Sequence, residues 1–307
     1  VFARCAGRCE ERTLGLAHHT FGIALLRTGD LDEAERQFLL ALKIWQKIDF
    51  PDDPEPYLYE AQIAAVGLRW QDAENAFREA MNRASDRLDI LEGMIDAQMK
   101  QLKFSDAEVE LRRLLARDPS KVSARVRHAD CLMRTGSLDE ALEELQAILQ
   151  TDPDSYDALV LFGQLAMSSG RTAEALSVLK RAVNQRPEDA EVRYLYGKTL
   201  RAAGQEAEAA EHFEFREAAR EPLLRLSKAT HELVEHPRNL ALRYEVAELT
   251  WRWKSHDEGA IWLLSLLELD PLHHQAHALL ARHRELKGEA TRAAHHRSLA
   301  GSAEFHE

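Results

Sequence analysis

Small and large apolar residues recur along this chain in columns set 34 residues apart. One column holds Ala73, Ala107, Ala141, Ala175 and Ala209, each following a turn and an acidic stretch; Gly259 and Ala293 continue it, and Ala34 opens it 39 residues before Ala73. Twelve residues ahead of it lies a second small column: Gly22, Ala61, Ala129, Gly163, Gly197, Ala247 and Ala281, with Ile95 as the exception. Four residues after the first column comes a large apolar residue (Phe38, Phe77, Leu111, Leu145, Leu179, Phe213, Leu263), a row that Arg297 breaks. Gly29, Gly136, Gly170, Gly204 and Gly288 precede the column by five residues, and Pro119, Pro153, Pro187 and Pro271 follow it by twelve.

These columns predict units of two helices, each of about 12 to 14 residues, joined by a short turn. Small residues let the paired helices approach where they cross, and the large apolar residue fills the space beside the crossing. The glycine ends the first helix in a left-handed cap, and the proline marks the loop because it cannot continue the second helix. A lone hairpin cannot bury both faces, so the units must stack.

The period, the small pair, the large apolar residue and the closing proline together resemble the tetratricopeptide repeat. Three segments carry the resemblance most plainly: HHTFGIALLRTGDLDEAERQFLLAL, ARVRHADCLMRTGSLDEALEELQAILQTDP and ALVLFGQLAMSSGRTAEALSVLKRAVNQRP. It covers roughly residues 14–300 and implies an all-α fold, a right-handed superhelical solenoid of about eight helix-turn-helix repeats. The aromatic that often opens the family's first helix is mostly missing, its places held by His18, Tyr57, Leu91, Arg125, Leu159, Arg193, Arg243 and His277.

Spacing also divides the chain. Residues 1–13 read as an N-terminal remnant or the start of the first helix, 14–221 as six repeats, 222–238 as an inserted helical segment, and 239–307 as two repeats with a polar end. The inserted segment follows Pro222, and Leu223, Leu224, Leu226, Leu233 and Val234 suit either an unpaired amphipathic helix or a lengthened one. A proline-rich stretch, DFPDDPEP, accounts for the longer spacing before the second repeat.

Composition agrees with helices and narrows the function. Hydrophobic residues are 45% and charged residues 30% of the 307, with 14 glycines and 9 prolines, enough apolar material to fold. A net charge of −12 leaves no basic face for phosphate neutralisation, which argues against nucleic acid and against an anionic membrane surface. No uncharged run approaches the roughly 18 residues a spanning helix requires. The chain opens on Val1, so the expectation is a fragment or processed product of a soluble protein, cytoplasmic or from a bacterial envelope compartment, with any targeting signal upstream.

The resemblance implies binding through the concave surface lined by first helices. One column there reads Leu26, Ala65, Met99, Met133, Met167, Arg201 and Trp251, and three of the chain's 5 methionines sit in it at repeat spacing. Neighbouring columns supply Ile23, Gln62, Asp96, Asp130, Gln164, Lys198 and Glu248, and then His19, Leu58, Glu92, Val126, Val160, Tyr194 and Tyr244. The expected partner-binding residues are Ile23, Gln62, Asp96, Met99, Asp130, Met133, Gln164, Met167, Tyr194, Lys198, Tyr244 and Trp251. A flexible apolar rib flanked by acids and amides suits an extended or helical peptide; the same methionines would equally pad adjacent helices. The paired lysines and asparagines with which relatives clamp a chaperone's C-terminal carboxylate are absent, and Glu92, Asp96 and Asp130 suggest an acidic centre accepting a basic or mixed peptide.

No catalytic constellation is present: no phosphate loop, serine elbow or metalloprotease helix. Cys5 and Cys9 stand four apart and match neither a haem-attachment nor a dithiol motif, and Cys131 reads as a buried small hydrophobe. Ten of 14 histidines lie at or after His231, among them His273 and His277, four apart; without a matching carboxylate or cysteine they read as surface residues, and no metal or cofactor is expected. The reading is a non-catalytic protein-interaction scaffold holding a peptide or protein of unknown identity. Its alternative is a regulatory or substrate-presenting segment of a larger bacterial multidomain enzyme.

Overall fold

A computed structural model describes residues 2–28, 31–48, 53–236 and 238–301, apart from the side chains of 2–10, 26–28, 31, 32, 46, 48, 66, 234 and 235. Gly29, part of the DFPDDPEP linker, Pro237, His306 and the side chains of Cys5, Cys9 and Leu26 therefore lie outside the description. The described residues form sixteen helices and no strand, an all-α arrangement of eight antiparallel hairpins. The hairpins are α1 (Phe2–Thr28) with α2 (Leu31–Ile48), α3 (Glu55–Val66) with α4 (Trp70–Arg83), α5 (Leu88–Lys100) with α6 (Phe104–Arg117), and α7 (Val122–Thr135) with α8 (Leu138–Thr151). They continue with α9 (Tyr156–Ser168) and α10 (Thr172–Gln185), α11 (Ala190–Ala202) and α12 (Glu206–Glu235), α13 (Leu240–Trp253) and α14 (His256–Leu269), and α15 (His274–Leu286) and α16 (Ala290–Ala300). They fall into two compact units, one of Val1–Leu26 and Leu31–Leu161, the other of Phe162–Glu307 with Arg27–Asp30.

The first unit shows how the columns act. Ala34, Ala73, Ala107 and Ala141 are all fully buried, as are Phe38, Leu111 and Leu145 four residues on. Burying each such leucine contributes about 2 kcal/mol relative to leaving it in water. The small column is small because its partner fills the space: a Cβ on Gly22 would meet the Phe38 ring at 2.5 Å. Each second helix also packs against the next first helix, α2 on α3, α4 on α5 and α6 on α7.

The second unit repeats the arrangement with one change. Ala175 and Ala209 are fully buried, Gly163 abuts Leu179 and Gly197 abuts Phe213. At Gly259 the neighbour is backbone, which cannot give way: a Cβ there would meet the Trp251 backbone at 2.6 Å, so the column needs glycine rather than alanine. Arg297, the break in the large apolar row, is exposed and ion-paired with Glu285. The segment 222–238 does not start a separate helix: α12 runs unbroken for 30 residues with Pro222 inside it. Its first half buries Ala209 and Ala219, and its second half packs Leu226, Ala229 and Leu233 against Val246 and Leu249 of α13. Contacts on both sides of Pro222 offset a backbone hydrogen bond whose loss costs about 3 kcal/mol in a helix interior.

Candidate partner-binding faces

The first helices carry the expected residues, and the units present them differently. In the first unit Ile23 is half-buried against the cluster of Ala34, Phe38 and Ile63, and Gln62 is half-buried on α3. Met99 on α5 leans on the core formed around Ile95, Leu111 and Leu114, leaving part of its side chain open; Met133 on α7 is likewise half-buried. Cys131, beside it in sequence, is fully buried, and burial pushes its thiol up to about 12, so it is no nucleophile near neutrality.

The carboxylates of this face are matched by bases. Arg127 of α7 donates to Asp96 at 2.6 Å, Lys121 ahead of α7 donates to Glu92, and Arg134 donates to Asp130 at 3.2 Å. The acidic centre expected from Glu92, Asp96 and Asp130 is thus neutralised locally, and the face offers thioethers, amides and charge pairs rather than a negative field. The bases have a sequence signal that columns of one residue type do not reveal. Lys121 follows Glu92 by 29 residues, Arg127 follows Asp96 by 31, Lys103 follows Glu74 by 29 and Arg87 follows Glu55 by 32, each a base one repeat on and a few residues short of the period.

In the second unit Gln164 is exposed and Met167 half-buried on α9. On α11, Tyr194 is 41% exposed and meets Phe213 edge-on at 5.9 Å, with Lys198 over the Tyr194 ring at 5.7 Å and Arg201 over Phe213 at 4.9 Å. Tyr194 of the first helix is exposed, Phe213 of the second helix α12 is half-buried, and the two cations lie against the rings of this pair. Tyr244 is half-buried, stacked on His273 at 5.1 Å, and burial pushes its phenol up to about 12. Trp251 is buried rather than presented, covered by His256 at 4.2 Å and by Gly259.

Of the paired histidines read from the sequence as surface residues, His277 is instead buried, 4% exposed. His273 caps α15 by accepting the Ala276 N–H, while His277 hydrogen-bonds the Pro271 carbonyl and the His296 ring, so the two do not share a task. Among the described residues no group of three or more histidines, cysteines and carboxylates is placed to hold a metal ion. No helix among them is long and apolar enough to cross a membrane.

Two tetratricopeptide repeat profiles match the chain, one at residues 132–198 and 166–214 and the other at 93–156. Together the two profiles match residues 93–214, and over that stretch the chain is similar to the tetratricopeptide repeat. No curated protein sequence matches the chain. Among solved structures it is similar to PilW, a widely conserved type IV pilus biogenesis factor, at 20% identity and TM-score 0.56, over 64% of this chain and 90% of that one. It is similar also to pilF of Pseudomonas aeruginosa, at 16% identity and TM-score 0.55, over 67% of this chain and 90% of that one. Likeness at these identities establishes the solenoid fold. Tetratricopeptide repeats in general bind proteins or peptides, and the matched repeats support a protein-interaction scaffold.

Proposed function

We propose that the first-helix faces hold a segment of a partner protein, with Met99 and Met133 as the apolar rib in the first unit. The observation that carries this reading is that both methionines are half-buried on their helices while the acids around them, Glu92, Asp96 and Asp130, are already paired with bases. A partner laid on such a face gains apolar contact with a polarisable, adaptable side chain and meets these three acids already paired. In the second unit Gln164, Met167, Tyr194, Lys198 and Tyr244 occupy the corresponding columns, and the Tyr194–Phe213 pair with its cations suits a partner's aromatic or acidic side chain. Ile23 and Gln62 would border the face at the early repeats, and Trp251 would act from beneath it, by packing.

A photo-crosslinking residue at Met133, compared with one at Gln146 on the opposite helix, tests the reading in cells. It expects a discrete crosslinked partner from Met133 only, whose capture is weakened by Met99→Ala with Met133→Ala while the melting temperature changes little. Equal crosslinking from Gln146, or an alanine pair that lowers the melting temperature without affecting capture, would make the methionines padding.

A further inference from the structure

The second helix of the seventh hairpin departs from its counterparts on the side facing away from its own hairpin. Ile261 is 60% exposed and Leu264 41% exposed on α14, and Leu272, in the loop that follows, is 67% exposed. In hairpins two to six the place of Leu264 is held by Arg78, Arg112, Gln146, Lys180 and Glu214, and that of Ile261 by a polar residue in all but one, Val109 being the exception. The first hairpin has Leu39, 40% exposed, in the place of Leu264 but Arg36 in that of Ile261, so the apolar pair occurs in α14 and not in the first six hairpins. Ile261 and Leu264 are one helical turn apart and so share a face, which continues through Glu258 at one end and Glu268 at the other, both exposed. From His256 to Leu272 the chain holds four carboxylates and neither lysine nor arginine. Asp257 is paired with Lys287 at 2.8 Å; Glu258 and Glu268 flank the apolar pair.

We propose that this stripe is a second docking surface and that its occupant is a basic amphipathic helix of a partner protein. An apolar pair one turn apart matches a partner helix presenting leucine- or isoleucine-type side chains at every third or fourth position. The flanking carboxylates select lysine or arginine at that helix's margins, and they disfavour a second copy of this chain, whose net charge is −12 and whose own stripe carries the same acids. Binding here is independent of the first-helix faces, since α14 is the second helix of its hairpin.

The test uses the whole chain and a fluorescently labelled leucine–lysine amphipathic peptide, read by anisotropy. The proposal expects saturable binding that Ile261→Glu with Leu264→Glu weakens by at least about tenfold, with the helical circular dichroism unchanged. It expects Met99→Ala with Met133→Ala to leave that affinity as it is, so the first-helix reading can fail without touching this one. The double glutamate variant adds negative charge, so equal or tighter binding to it would mean bulk electrostatic attraction and overturn the proposal. So would equal binding of a scrambled peptide of the same composition, or no binding at all. Sedimentation that finds the wild type dimeric and the variant monomeric would assign the stripe to self-association and overturn it equally.

Discussion

Lys103 Nζ donates to Glu74 at 2.6 Å, joining the turn of the third hairpin to the second helix of the second, and the Glu74 side chain is only 2% exposed. Burial pushes its carboxyl up, but hydrogen bonds from Lys103 and from Gln101 at 3.0 Å outweigh burial and hold it below the usual carboxylate range. Arg78 adds a third donor at 2.6 Å. This carboxylate therefore fastens one repeat to the next. Glu74→Gln keeps the shape and removes the charge, and it should cost about 2 kcal/mol, the range of hydrogen bonds to charged groups. Because the folded pKa is lowered, the stability from Glu74 is present above its ordinary value and is lost as pH falls through the lowered one. Urea midpoints of Glu74→Gln, Lys103→Met and the double variant check this: the double should cost less than the two singles added. Simple additivity would mean that the pair is not coupled.

Leu102 stands where Gly136, Gly170 and Gly204 stand in later hairpins, and it adopts the same left-handed backbone, φ 59°, as Leu68 does at 55°. A residue with a Cβ pays about 1–2 kcal/mol for that conformation, while glycine pays about 0.5–1 kcal/mol in unfolded-chain entropy. Leu102 is 72% exposed, so little burial is lost on truncation. Leu102→Gly should therefore raise stability by roughly 0.5–1 kcal/mol, and Leu102→Ala, which keeps the strain, should not. A lower urea midpoint for the glycine variant would show that the leucine side chain contributes more than its exposure suggests.

The sequence carries the repeat well because each column answers to a single steric demand. Ala107, Ala141, Ala175 and Ala209 sit at helix crossings where only a small residue fits, and all are fully buried. What escaped the columns depends on more than one residue. The left-handed turn at Leu68 and Leu102 is imposed by the hairpin and leaves no glycine to read. Around Pro222 the sequence leaves an unpaired helix and a lengthened one both open, and α12 is the lengthened one because Ala219 on one side and Leu226 on the other are both packed. On the first-helix faces, the acids were legible as a column but their partners Lys121 and Arg127 were not, since a base one repeat later and a few residues short of the period falls into a different column. Trp251 shares the methionine column but turns inward, because Gly259 opposite it leaves room for the helices to close around the indole.

Six histidines set how the fold answers to acid. Burial lowers the pKa of His19, His128, His212, His256, His283 and His296 below the ordinary value of 6.5. At His256 the buried Glu188, whose carboxylate accepts the His256 backbone N–H at 2.9 Å, opposes that shift without reversing it. At His283, 4% exposed, Asp257 does the same. A group whose folded pKa is depressed contributes stability that is complete above its unfolded value and is lost as pH falls through the folded one. Stability should therefore be level above about pH 7 and decline from about pH 6.5 downward, before the lowered carboxylates Glu74, Asp89 and Asp257 begin to add their own loss nearer the acid range. Urea midpoints measured at steps between about pH 7.5 and pH 5 read this slope directly, and His283→Gln should flatten it because one buried titrating ring is gone. A midpoint that stays constant or rises across that interval would mean that the unfolded chain binds no more protons than the folded one, and that these rings are solvated in the native state.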